Sequence, residues 1–242
     1  MRDRIKLLDT MIDVVSTSAV CRSAMHYLTR EGSNVLYFLN SESLLLLQNN
    51  QEYQDVLAGC EWVLPGNASV NASVDEVAGL DRDAFVFESF FDSLLDHAIE
   101  KGYEFFLVAE DSERFSSMQE NIHEKRPFLT LSGMFLTAKE ESLDHVVNEI
   151  NSVAPDILLV ALEEKKQLEI LKQFRNQINA GLMLFTGNIL YNKVVAEAEL
   201  PERIQKLRIG NIYKWLQIDG IKQTFNNIKM KLVIKRHNKD NK

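Results

Sequence analysis

The chain has 242 residues and a mass of 27.7 kDa, with 45% hydrophobic and 26% charged residues. At this length about 70 to 75% of the unfolded surface can be buried, in one sizeable domain or two small ones. Four prolines and ten glycines exclude collagenous and low-complexity classes. Two cysteines, Cys21 and Cys60, are too few for a disulfide framework and make a reducing cytoplasm the default compartment. No run reaches the roughly 20 apolar residues of a spanning helix, and Asp3, Asp9 and Asp13 fall where a secretory leader would have its apolar core. The net charge of −8 is uneven, because residues 222–242 hold seven Lys or Arg against Asp240 alone. The acidic remainder speaks against nucleic acid, which needs a basic face. The basic segment suits an anionic membrane surface.

In chain order, Val35-Leu36-Tyr37-Phe38-Leu39 is the first continuous apolar run of strand length, followed by the shorter Glu61-Trp62-Val63-Leu64. Phe105-Phe106-Leu107-Val108, Ile157 to Leu162 and Leu182-Met183-Leu184-Phe185 complete the set. Such runs mark strands covered on both faces. Between them, Phe90 to Lys101 places Phe91, Leu94, Leu95, Ala98 and Ile99 on one helical stripe, and Leu143 to Asn151 does so with Val146, Val147 and Ile150. Gly102 and Pro155 follow these helices where a stop is expected. The alternation predicts a three-layer α/β domain over residues 1–205, a mainly parallel sheet with helices on both faces. Residues 206–242 form a basic, helical appendage in which Ile209, Ile212, Tyr213, Leu216 and Ile218, then Phe225, Ile228, Met230, Leu232, Val233 and Ile234, make apolar patches beside lysines. Two readings stay open there: a helix lying on a membrane, or a helix packed on the body with solvated lysines.

Chemical motifs are sparse. His26, His97, His123, His145 and His237 lie far apart without metal-ligand spacing, so no metal or other cofactor is expected. No G-x-G-x-x-G, Walker loop or G-x-S-x-G occurs. Asn67-Ala68-Ser69 and Asn71-Ala72-Ser73 match the glycosylation pattern, but without a leader they read as loop chemistry. The turn Leu64-Pro65-Gly66-Asn67-Ala68-Ser69 directly follows a strand. In an open α/β sheet that is where ligands bind, although Pro and Gly in succession make a turn without any function.

The order of these pieces resembles the WecG/TagA/CpsF glycosyltransferases. The resemblance rests on Ile5-Lys6-Leu7-Leu8, the strand into Asn40, Trp62-Val63-Leu64-Pro65, Gly133-Met134-Phe135 and Glu149-Ile150-Asn151 leading to Pro155-Asp156-Ile157-Leu158-Leu159-Val160. Lys166-Gln167, Pro201, Gln205-Lys206-Leu207 and Tyr213-Lys214 continue it. It implies transfer of a hexose derivative from a UDP-sugar donor to a polyprenyl-diphosphate-linked acceptor in cell-surface polysaccharide assembly, in the cytoplasm at the inner face of the membrane. It also implies substrate-binding positions at Asn40, Gly66, Asn67, Lys166, Gln167, Tyr213 and Lys214.

Departures from the pattern alter that implication. The family's T-P-N strand end is Phe38-Leu39-Asn40 here, and its G-x-P-K-Q-E loop is Glu163-Glu164-Lys165-Lys166-Gln167-Leu168. Its D-G pair, with the aspartate as base, falls on Gly66-Asn67, and the arginine of its R-A-P falls on Glu199. A base is worth typically 10²- to 10⁴-fold, and a carboxylate beside a diphosphate repels it. The expectation is weak or absent transfer, with Asp75 or Glu76 in the same loop region as the substitute bases. The alternative is a non-catalytic relative that acts as partner or regulator of an active glycosyltransferase; as partners, a homo-oligomer or such a glycosyltransferase both stay open.

Overall fold

The computed structural model describes residues 3–79, 84–110, 116, 120, 123–136, 142–197 and 220–240. The chain opens with an antiparallel hairpin of β1 (Arg4–Leu7) and β2 (Thr10–Asp13). Six further strands follow: β3 (Asn34–Leu39), β4 (Trp62–Pro65), β5 (Glu104–Ala109), β6 (Thr130–Leu136), β7 (Ile157–Ala161) and β8 (Leu182–Phe185). They form one sheet in the order β4-β3-β8-β7-β5-β6, and every neighbouring pair is parallel. The helices are α1 (Thr17–Tyr27), α2 (Ser41–Leu47), α3 (Gln51–Ala58), α4 (Ala68–Ala78), α5 (Phe87–Lys101), α6 (Leu143–Val153), α7 (Glu164–Phe174), α8 (Asn188–Glu197) and α9 (Gly220–Asp240). This is the expected three-layer α/β architecture. Among the described residues no helix is long and apolar enough to cross a membrane.

The apolar runs are continuous because alternate residues feed two cores. Val35, Tyr37 and Leu39 point to one face, with Val108, Leu158, Val160, Met183 and Phe185, against α2, α3, α6 and α7. Leu36 and Phe38 point to the other, with Leu107, Leu159 and Leu184, against α1 and α5. Phe38 is fully buried there, its ring 5.0 Å from Phe87 and 5.7 Å from Phe90.

The first strand edge is shielded by charge as well as by the hairpin. Asp13 is buried; its Oδ1 accepts from Arg4 Nε at 2.7 Å and its Oδ2 accepts from the backbone N–H of Val63 in β4 at 2.8 Å. An edge N–H that would otherwise invite another strand is thereby satisfied.

Two stretches differ from the expectation. The stretch after Asn67 is helix α4, because Asn67 caps it by accepting from Val70 N at 3.0 Å and Val70 and Val74 are buried. Both glycosylation-like triplets thus lie at or in a helix. Strand β6 contains Ser132 and Gly133, which hide it in the sequence. A Cβ at Gly133 would lie 2.5 Å from the Phe106 ring, so glycine is what lets the two strands' faces close.

Of the basic segment, α9 packs on the body. Met230 and Ile234 are buried in the same core as Leu44 and Leu47 of α2, while Phe225, Ile228 and Leu232 are exposed together with Lys229, Lys231, Lys235 and Arg236. The patch from Ile209 to Ile218 lies outside the described residues.

Phe38→Ala leaves a cavity beside Phe85, Phe87 and Phe90 and should destabilise the chain by about 3 to 5 kcal/mol. Urea unfolding measures this, and a loss below about 1 kcal/mol would show that the aromatic cluster does not belong to the cooperative core.

Candidate functional site at the carboxyl ends of the strands

All six strands end at one mouth, the place where open α/β sheets take ligands. Chain direction there is set by the order of the strands: β3 leads outward to β4 at one edge, β5 to β6 at the other, and β7 and β8 fill the middle. Asn40 follows β3, Gly66 and Asn67 follow β4, and Lys166 and Gln167 lie in the first turn of α7, just beyond β7. The backbone N–H of Gly66 donates to Leu39 O at 2.7 Å, which brings the first two strand ends together.

Asn40 spends all its hydrogen-bonding capacity within the protein. Its Oδ1 accepts from the N–H groups of Glu42 and Ser43 at 2.8 and 2.9 Å, capping α2. Its Nδ2 donates to Glu164 Oε1 at 2.6 Å and to Asn188 Oδ1 at 3.0 Å. Two donors and two acceptor positions are a full complement for a carboxamide. Asn40 therefore shapes the mouth and fixes its neighbours.

Glu164, which sequence reasoning passed over within a run of charged residues, is buried, and among the described residues no cation is bonded to it. Tyr37 Oη donates to its Oε2 at 3.0 Å, and Gln167 Nε2 approaches the same oxygen at 3.4 Å. Gln167 Oε1 in turn accepts from Gly187 N at 2.9 Å. Gly187 has φ +53°, and a Cβ there would lie 2.4 Å from Glu164 Oε1, so glycine both permits the turn and leaves room for the carboxylate.

The position matching the family base is tightly packed, chiefly by the movable end of one side chain. A Cβ on Gly66 would lie 2.1 Å from Ile189 Cδ1 and 3.0 Å from Leu39 O. Ile189 thus occupies the space a side chain would need. Asp75 and Glu76 lie eight and nine residues beyond the cap of α4, about 12 Å along its axis and away from the mouth. Lys166 turns to the neighbouring strand end, where its Nζ lies 2.7 Å from Glu110 Oε1. Glu110 Oε2 also accepts from Glu163 N at 3.1 Å. Tyr213 and Lys214 lie outside the described residues.

Helix α9 covers the β3, β4 and β8 end of the mouth. A small pocket there is lined by Asn40, Asn67 and Asn188 from the strand ends and by Gln223, Asn226 and Asn227 from the helix. Ser41 Oγ donates to Asn227 Oδ1, and Lys222 Nζ lies 3.0 Å from Glu42 Oε2 at the rim. Nothing in the sequence signals Asn188 or Asn227, since each meets its partner only through the tertiary fold.

Burial pushes the Glu164 carboxyl up from 4.5 to about 7, although the Tyr37 and Asn40 hydrogen bonds pull the other way. Between these values the unfolded chain releases a proton that the folded chain keeps. Folding stability therefore falls as pH rises from 4.5 to 7 and levels off above. Glu164→Gln is neutral throughout and should gain on the parent by about 1 to 3 kcal/mol between pH 4.5 and 8. Thermal unfolding across that range checks it, and parallel pH profiles would count against a raised Glu164.

No curated protein matches the chain. A family model, Glycosyl transferase WecG/TagA/CpsF family, matches residues 5–218, from the first strand of the hairpin through all six strands of the sheet and past α8. A match over most of the chain, on a sheet whose mouth gathers Asn40, Asn67 and Gln167, shows that the chain belongs to the WecG/TagA/CpsF glycosyltransferase family.

Proposed function

We propose that the chain is a divergent member of cell-surface polysaccharide assembly that binds a UDP-sugar donor at the mouth of the sheet, opposite a polyprenyl-diphosphate-linked acceptor. The observation that carries this reading is the convergence of Asn40, Asn67 and Gln167 at the strand ends of a family scaffold. Transfer is weak or absent, because Ile189 fills the space beside Gly66 where the family base belongs. That same packing favours a second reading, a catalytically silent relative that binds donor and serves an active transferase as its partner.

Donor binding and transfer with a panel of UDP-sugars, with and without vesicles, separates the two. Binding with turnover at least about 10²-fold below that of an active family member, the low end of what a base contributes, selects the divergent transferase. Binding with no turnover selects the silent partner. Robust turnover would sink the claim that the packed base position matters, and no binding to any UDP-sugar would sink the donor reading.

The exposed face of α9 supports placement at an anionic membrane, since Phe225, Ile228 and Leu232 stand among Lys229, Lys231, Lys235 and Arg236 while the opposite face is docked. Each basic residue near such a surface gains about 1 kcal/mol, over a Debye length of about 8 Å at physiological ionic strength. Reversing those four charges to Glu should lower vesicle co-sedimentation by more than about ten-fold at low salt. Equal partitioning of parent and variant would remove the membrane role.

A further inference from the structure

A cavity of about 330 Å³ lies apart from the mouth, between the β1–β2 hairpin and α3, against Val63 of β4; none of Asn40, Gly66, Asn67 or Gln167 lines it. That volume is at the lower end of what small-molecule sites occupy. Both ends of the hairpin are tied down beside it. Asn49 N, just before α3, donates to Asp9 Oδ2 in the hairpin turn at 3.3 Å, and buried Asp13 accepts from Arg4 Nε and Val63 N at the other end. The bonds that dock the hairpin thus also set the spacing of the cavity walls.

The two walls differ in hydrogen-bonding polarity. On the hairpin side, Arg4 and Lys6 stand two residues apart in β1, hence on one face. Arg4 spends only its Nε–H, on Asp13, and its terminal amino groups have no partner among the described residues. Thr10 is 3% exposed, and its hydroxyl is likewise without a partner there. Asp9 is taken up by Asn49 and lies 3.8 Å from Lys6 Nζ. On the helix side, Gln51 Nε2 donates to Asp55 Oδ1 at 2.8 Å and Gln54 Nε2 to Leu47 O at 2.9 Å. Only acceptors stand opposite those amide protons, so each carboxamide keeps an uncommitted Oε1. Asp55 keeps its second oxygen and has no cation among the described residues. The hairpin wall therefore donates and the α3 wall accepts, over the buried side chains of Leu57 and Val63.

We infer that this cavity takes a small zwitterion of the amino-acid type. Its carboxylate meets Arg4, Lys6 and Thr10, its ammonium meets Asp55 and the two glutamine carbonyls, and its apolar side chain covers Leu57 and Val63. Charge decides against simpler ions. Arg4 and Lys6 against Asp9, Asp13 and Asp55 leave one negative charge, so a plain anion gains little, while a plain cation gives the Arg4 amino groups and the Thr10 hydroxyl nothing to bond. A guanidinium pinned through Nε is preorganised to grip a carboxylate with its two terminal amino groups. Bound there, the zwitterion bridges the hairpin to α3, the elements flanking β4, and its binding energy adds to the stability of the fold.

Leucine, methionine and phenylalanine, each also as its amide and its N-acetyl derivative, are titrated by calorimetry into the full chain, with thermal unfolding alongside. At least one free amino acid should bind and raise the unfolding temperature. Its amide, which lacks the carboxylate, and its N-acetyl form, which lacks the ammonium, should each bind at least about ten-fold more weakly. Three variants separate the poles. Lys6→Gln and Asp55→Asn alter exposed side chains, and Arg4→Lys keeps a cation for Asp13 while removing the fork. Arg4→Lys and Lys6→Gln should weaken the free amino acid about three-fold or more and leave the amide unchanged. Asp55→Asn should weaken it similarly and leave the N-acetyl form unchanged. No binding of any free amino acid at millimolar concentration overturns the site. So does an amide or N-acetyl form that binds as tightly as the free amino acid, or an affinity that none of the folded variants alters.

Discussion

Burying a carboxylate without a cation is tolerated only if neutral donors replace the water it gives up, and that demand organises the end of the sheet where the strands' carboxyl termini meet. Glu164 draws on Tyr37 from inside β3, Asn40 from its end and Gln167 one turn along its own helix. Gly187 after β8 leaves the space. The ends of β3 and β7 are thereby locked to one pair of oxygens, and the end of β8 joins them through the bond from Gly187 N to Gln167 Oε1. Asn40 can cap α2 and orient Asn188 at once because Glu164 accepts what its amide has left to give. A hydrophobic side chain at position 164 would leave the Asn40 Nδ2 short of a partner in a dry site, where an unmade bond costs about 1 to 3 kcal/mol.

The same end of the sheet records how the chain has moved away from its family pattern. Where the pattern has a base, Ile189 packs over Gly66; where it has a glycine before its lysine, Glu163 donates its backbone N–H to Glu110. Lys166 keeps its charge but is paired with Glu110, half shielded from solvent. Such partly exposed pairs are worth about 1 kcal/mol or less, so Lys166 is restrained and can still be drawn to another anion.

Much of the fold was legible because the sheet is buried on both faces. Val35 to Leu39, Phe105 to Val108 and Leu182 to Phe185 read as strands since both of their alternating sets are apolar. The edge strand β6 was hidden by Ser132 and Gly133, and α7 by the charged run that precedes Leu168. Helices α2, α3 and α4 carried a signal that went unused: each is capped by an asparagine, Asn40, Asn50 or Asn67. At the site, Asn40, Asn67 and Gln167 were found through the family pattern. Glu164, Asn188 and Asn227 were not, because their partners lie 124, 148 and 186 residues away along the chain. Local patterning sees spacing within an element, whereas a buried polar network is defined by contacts that exist only once the sheet has closed.

The docking of α9 over the mouth also has a temporal side. The strand-end amides are complete once Asn188 has been made, but the residues that cover them, from Gln223 to Ile234, follow roughly forty residues later. At 5 to 20 residues per second, a ribosome leaves an interval of about 2 to 8 s in which a nascent body with a finished sheet still has an uncovered mouth. The apolar sides of Leu44 and Leu47 face water during that interval, until Met230 and Ile234 arrive. Newly made chains thus pass through a state more accessible to ligands, chaperones and partners than the mature fold.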